Sequence, residues 1–303
     1  MALFASVKLK LGLKLSFTLA LMMLILVSLV SYFLITKQGA LLEEQLMDKA
    51  VMQAGIGAKA MEFVLEKAVD NGVFTLEEVF DTNYVEIPGF DPPKYHSKID
   101  FYLDNTILGI EDKFLDDPVV IYATMVDING YVPTHNTRFQ QPITGDKEED
   151  LIGNRTKRFF NDPVGIKAAR HQQKFLKQVY YRDTGEMLWD IAVPVFVKGR
   201  HWGAFRMAYS MEKIEQNIRD LTYSIGVVML LLTILLGVTT FILVNRSIVE
   251  LGRITRLASR MADGDLDVQI ESRSTDEIGQ LADVLERMRV SLQKTLERLK
   301  RNF

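Results

Sequence analysis

Two long apolar runs interrupt an otherwise mixed pattern of hydrophobic and polar positions. Leu15 to Ile35 (LSFTLALMMLILVSLVSYFLI) and Leu221 to Val244 (LTYSIGVVMLLLTILLGVTTFILV) contain no Asp, Glu, Lys or Arg. At the rise of an α-helix, about 21 residues reach roughly 30 Å, the thickness of a bilayer core. A signal peptide is the alternative for the first run, but its apolar part is longer than an h-region and TKQGALLEEQL continues it as helix. Both runs are therefore expected to span a membrane.

Between the spans the periodicity changes several times. Residues 38–70 predict a long helix, with Ala50, Ala54, Gly57, Ala58 and Ala60 allowing close packing and Asn71-Gly72 ending it. Thr75 and Glu78 have capping-box spacing. Tyr84–Lys94, with three prolines, reads as loop, and a helix is expected from Ile99 to Leu115 on the face of Leu103, Ile107, Ile110 and Phe114. Val119–Asp127 then reads as a strand, Asn129-Gly130 as a tight turn and Tyr131–His135 as the returning strand. A helix around Asn161–Gln173 precedes three strands, Gln178–Tyr181, Met187–Val197 and His201–Ser210, joined at Asp183-Thr184-Gly185-Glu186 and Lys198-Gly199-Arg200. The fold class that follows is α+β: one antiparallel sheet with a long N-terminal helix, plus two transmembrane helices and a helical C-terminal piece.

That C-terminal piece predicts two helices. Leu251, Ile254, Ala258 and Met261 make a heptad seam, Gly264 is placed to end the first helix, and Asp267–Ser274 has no helical period. Asp276 and Glu277 open a second helix with Ile278, Leu281, Leu285, Met288, Leu292, Thr295 and Leu299 as its seam. Two short seams on one chain bury themselves poorly, whereas a parallel four-helix bundle made by a homodimer covers all four.

Charge sets the direction. Lys8, Lys10 and Lys14 precede the first run, and Arg246, Arg253, Arg256 and Arg260 follow the second. The positive-inside rule puts both termini in the cytoplasm of a cell (inner) membrane and the intervening domain in the periplasm or outside. The expected division is a basic N-terminus over 1–14, spans over 15–36 and 221–244, an external domain over 37–220 and a cytoplasmic module over 245–300. Net charge is −3, so the basic footprint of a nucleic-acid binder is missing. With no cysteine, thiol nucleophiles, thiolate metal sites and covalent haem are excluded.

Asn245–Arg298 resembles a HAMP domain, the relay module of bacterial transmembrane receptors, through its first seam, Gly264-Asp265-Leu266 and Asp276-Glu277-Ile278-Gly279. The resemblance implies signal-relay roles for Gly264, Leu266, Glu277, Ile278, Gly279 and Leu285. Glu250 stands where such domains commonly carry a proline. Most of residues 40–215 resemble a single Cache-like, PAS-like sensor domain through VDINGYVPTHN and RDTGEMLWDIAVPVFVKGRHWGAFRMAYS. That resemblance implies a small-metabolite ligand, often an organic acid or amino acid, on one face of the sheet. It also implies chemotaxis or another sensory pathway.

Seven residues are candidates for an anionic ligand. Arg155 and Arg158 belong to the basic stretch NRTKR and suit bidentate recognition of a carboxylate or phosphate. Tyr122, His135, Tyr180 and Trp189 lie on or beside strands and would wall an aromatic pocket. Arg206, inside the apolar strand GAFRMAYS, needs either a ligand or a structural partner such as Asp190. The structural alternatives are a solvated basic face for the first pair and core packing for the aromatics. The four histidines make no zinc-binding spacing, and no catalytic motif is present. The expectation is a protein that is not an enzyme and carries no metal or cofactor, with non-covalent haem through His135 or His201 as the alternative.

The whole is expected to be a receptor that relays solute binding to a separate cytoplasmic signalling protein: a chemotaxis transducer, kinase, phosphatase or cyclase. Two other readings stand beside it. Phe303 either ends the natural chain or cuts a longer methyl-accepting chemotaxis protein, histidine kinase or cyclase. Alternatively the chain is a membrane-anchored adaptor whose external domain docks a protein.

Overall fold

The computed structural model describes residues 11–271 and 274–301. Lys8, Lys10 and Phe303 lie outside the described residues, as does the side chain of Leu299. The chain divides into two compact units, Lys37–Thr222 and the segments before and after it.

The elements, in chain order, begin with helix α1, Leu11–Asp70, and the short α2, Leu76–Val79. Strands β1 (Val85–Ile87) and β2 (Lys94–His96), then helices α3 (Asp100–Thr106) and α4 (Leu108–Lys113), lead into the main sheet. There follow β3 (Val120–Asp127), β4 (Tyr131–Val132), α5 (Lys147–Gly153), β5 (Arg158–Phe159) and α6 (Pro163–Ala169). The chain closes with β6 (Leu176–Tyr181), β7 (Met187–Val197), β8 (Arg200–Ser210), α7 (Met211–Ala262) and α8 (Glu277–Arg301).

Within Lys37–Thr222 a four-stranded antiparallel sheet in the order β3-β8-β7-β6 is covered on both faces. One face packs on α1, which presents Ala50, Ala54, Ala58, Met61 and Leu65 to Met125, Ile191, Phe205 and Met207. The small residues bring the helix close. A β-carbon on Gly57 would stand 2.1 Å from the Phe205 ring, so only glycine admits that ring. Gly72, at φ +68°, ends α1, and Thr75 and Glu78 form the expected capping box before α2.

The other face of the sheet is covered by the crossing that carries β4, β5, α5 and α6. Register decides which side chains see it. On β3 a shift between Val120 and Tyr122 breaks the alternation, leaving Val120 on the helix face and turning Tyr122 towards the crossing. On β7, Asp190 pairs across from Ala208 and Trp189 from Tyr209. Asp190 and Arg206 therefore share the crossing face, and Trp189 the helix face.

Three expectations change. Tyr84–Lys94 is not loop throughout, because β1 pairs with β2. The helix over 99–115 breaks into α3 and α4 at Ile107 and finishes as a 3-10 turn, although Leu103 and Ile107 are buried as expected. The Asn129-Gly130 turn forms, but β4 pairs with β5 rather than returning along β3. The Asp127 carboxylate captures the amides of Asn129 and Tyr131, at 2.8 and 3.0 Å. Beyond that point side chains replace the ladder: Asn136 accepts from the Ala123 amide and Thr124 donates to the Thr134 carbonyl.

α1 and α7 are both long and apolar enough to cross a membrane. α7 continues past the second apolar run to Ala262, straight through Glu250. Gly264, at φ +96°, follows it. The Asp276 carboxylate accepts from the amides of Ile278 and Gly279 at the start of α8. Ile254, Ile270 and Ala282 form a small core with Leu257, Met261, Ile278 and Leu285 around it.

Candidate functional site

A cavity of about 490 Å³ opens between the crossing face of the sheet and the β4–α6 crossing. Five of the seven candidate residues line it: Tyr122, His135, Arg155, Tyr180 and Arg206. Arg158 stands one layer behind, donating to the carbonyls of Leu151 and Asn154, with its guanidinium 5.4 Å from the Phe160 ring. Trp189 lies in the core on the opposite face, beneath the ammonium of Lys177. Strand parity puts it there, one position out of phase with Asp190.

Tyr122, Tyr180 and Arg206, which line the cavity, belong to a hydrogen-bonded network around the fully buried Asp190. Its carboxylate accepts from Arg206 Nε and Nη2 at 3.2 and 3.0 Å, from the Tyr122 hydroxyl at 3.2 Å and from Gln178 Nε2 at 3.4 Å. The hydroxyls of Tyr122 and Tyr180 meet at 3.1 Å. Burial works against the Arg206 charge, but the Asp190 carboxylate more than offsets it and the guanidinium stays protonated. Burial also raises both phenols above their ordinary range, so the tyrosines act as neutral donors and acceptors. Arg206 thus has its structural partner and also lines the cavity.

The wall is cationic. Arg155 and Arg158 are not a solvated basic face; they are 5% and 8% exposed. Arg155 Nη2 donates to Asp183 at 2.9 Å and Nη1 to the Leu151 carbonyl at 3.2 Å, while its guanidinium lies 4.9 Å from the Phe160 ring. Burial, followed by the nearby Arg182, lowers the Arg155 pKa. Burial and Arg155 bring Arg158 down to about 10. His135, with its ring edge-on to Phe139 and Tyr122, is held well below its ordinary value by burial and then by Arg155, Arg182, Arg206 and Arg158. It is a neutral imidazole at physiological pH, and its Nδ1 is buried without a hydrogen-bond partner.

Arg182 and Asp183, just after β6, also line this cavity, and the sequence pattern read them only as the approach to a turn. The available signal was parity: Gln178, Tyr180 and Arg182 fall on one face of β6, whereas Lys177, Val179 and Tyr181 are exposed. Arg182 is 7% exposed, its guanidinium 4.6 Å from the Phe139 ring, and its Nη2 has no partner. Buried guanidiniums held over aromatic faces, with two tyrosine hydroxyls opposite, are a chemistry for holding a small anion.

His135 and His201, the two histidines weighed for haem, line different cavities. Among the described residues no three His, Asp or Glu side chains converge as a metal would require.

The residues expected to relay a signal fall in the other unit. A β-carbon on Gly279 would stand 2.0 Å from the Ser274 carbonyl oxygen, so the connector passes directly against the start of α8. Leu266 is buried, Glu277 begins α8, and Ile278 and Leu285 pack on the small core. A clamp that the sequence did not suggest joins them. Arg289, 6% exposed, donates to both Glu286 oxygens, to Gln293 and to the Leu266 carbonyl, and Glu286 accepts from the Ile270 amide at 2.8 Å.

Residues 242–294 match the HAMP domain, and that module is present in the chain. Over 53 residues the chain is 53% identical to the sensory rhodopsin I transducer of Haloarcula marismortui, a match that covers 18% of this chain and 10% of the transducer. The chain therefore spans about a tenth of that curated relative's length. Among solved structures, the sensory domain of the Campylobacter jejuni chemoreceptor Tlp3 is similar at 11% identity and a TM-score of 0.28, covering 59% of this chain and 66% of that one. The sensor domain of the Vibrio cholerae histidine kinase DctB is similar at 14% identity and a TM-score of 0.24, covering 58% of each. An extracellular ligand-binding receptor from Desulfohalobium retbaense is similar at 13% identity and a TM-score of 0.27, covering 55% of this chain and 26% of that one.

Proposed function

We propose that this HAMP-containing membrane protein is a homodimeric sensory receptor that binds a small anionic solute in the cavity lined by Arg155, Arg182 and Arg206. In this reading residues 37–220 form a Cache-like domain outside the cytoplasm, and the basic flanks at Lys14 and Arg246–Arg260 lie inside. The observation that carries the reading is the convergence of Arg155, Arg182 and Arg206 with Tyr122 and Tyr180 on one cavity of about 490 Å³, a volume suited to a small metabolite.

Relay follows from differential binding. The solute must favour one arrangement of the dimer over another, or nothing moves. β8 carries Arg206 into the cavity and ends at Ser210, where α7 begins, so a shift of that strand acts on the helix that enters the HAMP domain. The HAMP bundle then exchanges between two packings of its seams and is read by a cytoplasmic signalling partner of the chemotaxis, kinase, phosphatase or cyclase class.

The test is thermal unfolding of the full chain in lipid nanodiscs against acetate, lactate, succinate, citrate and a set of amino acids. A saturable rise in melting temperature, absent in Arg155→Ala, is the expected result. No shift with any compound in folded protein contradicts the solute reading and favours an external domain that docks a protein.

A further inference from the structure

The cavity holds its cations in two different ways. Arg206 has a permanent partner, because Asp190 is fully buried and engages it through two hydrogen bonds. Arg155 and Arg182 are met instead by carboxylates from the β6–β7 turn. Asp183 lies 2.9 Å from Arg155 and 3.9 Å from Arg182, and Glu186 lies 3.4 Å from Arg182. The side chains of these acids are 42% and 50% exposed, against 6% and 5% for the two arginines. The donors are fixed: Arg155 by the Leu151 carbonyl and the Phe160 ring, Arg182 by the Phe139 ring. The acceptors sit on a solvent-facing turn closed by the Gly185 amide donating to the Arg182 carbonyl. Arg182 Nη2 remains buried and without a partner beside them.

The other carboxylate lining the cavity, Asp162, is committed elsewhere. It accepts from the amides of Val164 and Gly165 at the start of α6. Asp183 is thus the carboxylate that reaches both guanidiniums, at 2.9 and 3.9 Å, from an exposed turn.

We propose that Asp183 is a specificity-determining residue of the solute site. Its carboxylate holds the place between Arg155 and Arg182 that the carboxylate of an incoming solute takes, so binding is an exchange of one carboxylate for another. The inference rests on the solute-binding reading above and adds the residue that an incoming carboxylate must displace. The exchange sets a threshold. A half-exposed ion pair is weak, so a carboxylate that chelates both buried guanidiniums displaces Asp183, whereas a neutral solute of the same size does not.

The experiment is isothermal titration of acetate, lactate and succinate into the full chain in nanodiscs, comparing the unsubstituted protein with Asp183→Asn and Arg155→Ala. Asparagine keeps the shape and removes the competing charge, and circular dichroism checks that each variant is folded. Asp183→Asn is expected to bind the carboxylates about twofold to fivefold more tightly, the range of a weak ion pair removed from competition. Arg155→Ala is expected to lose binding. If Arg155→Ala loses binding but Asp183→Asn binds as the unsubstituted protein does, the solute site stands and the exchange is wrong. Weaker binding by Asp183→Asn also overturns the exchange, since the Asp183 carboxylate would then support the arginines in their binding geometry rather than compete for them. No binding by any of the three overturns the exchange together with the solute reading.

Discussion

Asp190 shows how one buried charge organises the site. It receives Arg206, Tyr122 and Gln178 at once, and removing its charge leaves a guanidinium stranded at 6% exposure. Asp190→Asn should cost roughly 3–5 kcal/mol, the usual penalty for breaking one side of a buried pair. Reversible thermal unfolding of the full chain in nanodiscs measures it. A loss no larger than that of Val179→Ala, at an exposed position of the edge strand, would show that the pair is solvated. Gly57→Ala tests the opposite face. Its β-carbon meets the Phe205 ring, which is fully buried, so overpacking of about 1–3 kcal/mol is expected in the same measurement. In the HAMP unit the Arg289 guanidinium, followed by the Ile270 amide, lowers the Glu286 pKa to about 2. A depressed carboxylate contributes stability above its unfolded value near 4.5, lost as pH falls towards 2. The connector should therefore keep its protection from hydrogen exchange between neutral pH and about pH 5 and lose it in stronger acid. Loss on passing from pH 8 to 6 would contradict the clamp.

At the scale of elements, the proposed homodimer would place its second copy on the exposed apolar stripes. On α1, Met52, Ile56 and Phe63 are 61%, 57% and 62% exposed on the side away from the sheet. On α8, Leu281, Val284, Met288, Leu292 and Leu296 are exposed, while Ala282 and Leu285 face the chain's own core. The sequence seam through Leu281 and Leu285 mixed these two stripes. One chain's periodicity shows that α8 is apolar on a broad side but not which part meets its own first helix. Because the protein has no cysteine, single substitutions report pairing cleanly. Ile56→Cys and Leu292→Cys should cross-link copies in the membrane under mild oxidation, and Ala54→Cys, on the buried face, should not. Equal yields at all three positions would argue against a specific dimer. Strand positions were largely legible, since Met187–Val197 is an almost unbroken apolar run and both flanking turns carry glycine. Which face each side chain takes was harder to read. Trp189 was assigned to the site on its chemistry, and one step of strand parity places it in the core. The pairing of β4 with β5 was illegible, because it depends on the Asp127 side chain competing with the ladder for backbone amides.

At the scale of the whole molecule, the reading is of a cavity and a relay joined through continuous elements. The spans and the HAMP domain were legible because an uncharged run of that length and the DGDL and DEIG segments are local signals. The cavity was half legible. Its tyrosines, His135, Arg155 and Arg206 could be ranked by chemistry and Arg182 by strand parity, whereas Asp183 enters only through its contact with Arg155 across the fold. The division of labour predicts that Leu285→Asp, in the HAMP core, leaves solute affinity within about twofold by titration while abolishing the response of α8 to solute. Affinity and response falling together would mean that the two parts are one.

The central claim is that occupancy of the cavity changes the packing of the HAMP helices. The measurement that reaches it most directly is the distance between spin labels at Leu292→Cys of the two copies. It is taken on the full chain in nanodiscs, with and without the carboxylate that raises the melting temperature most. The account predicts a solute-dependent change in the distance distribution, saturating with the binding curve and absent in Arg155→Ala. A distribution unchanged at full occupancy would contradict it.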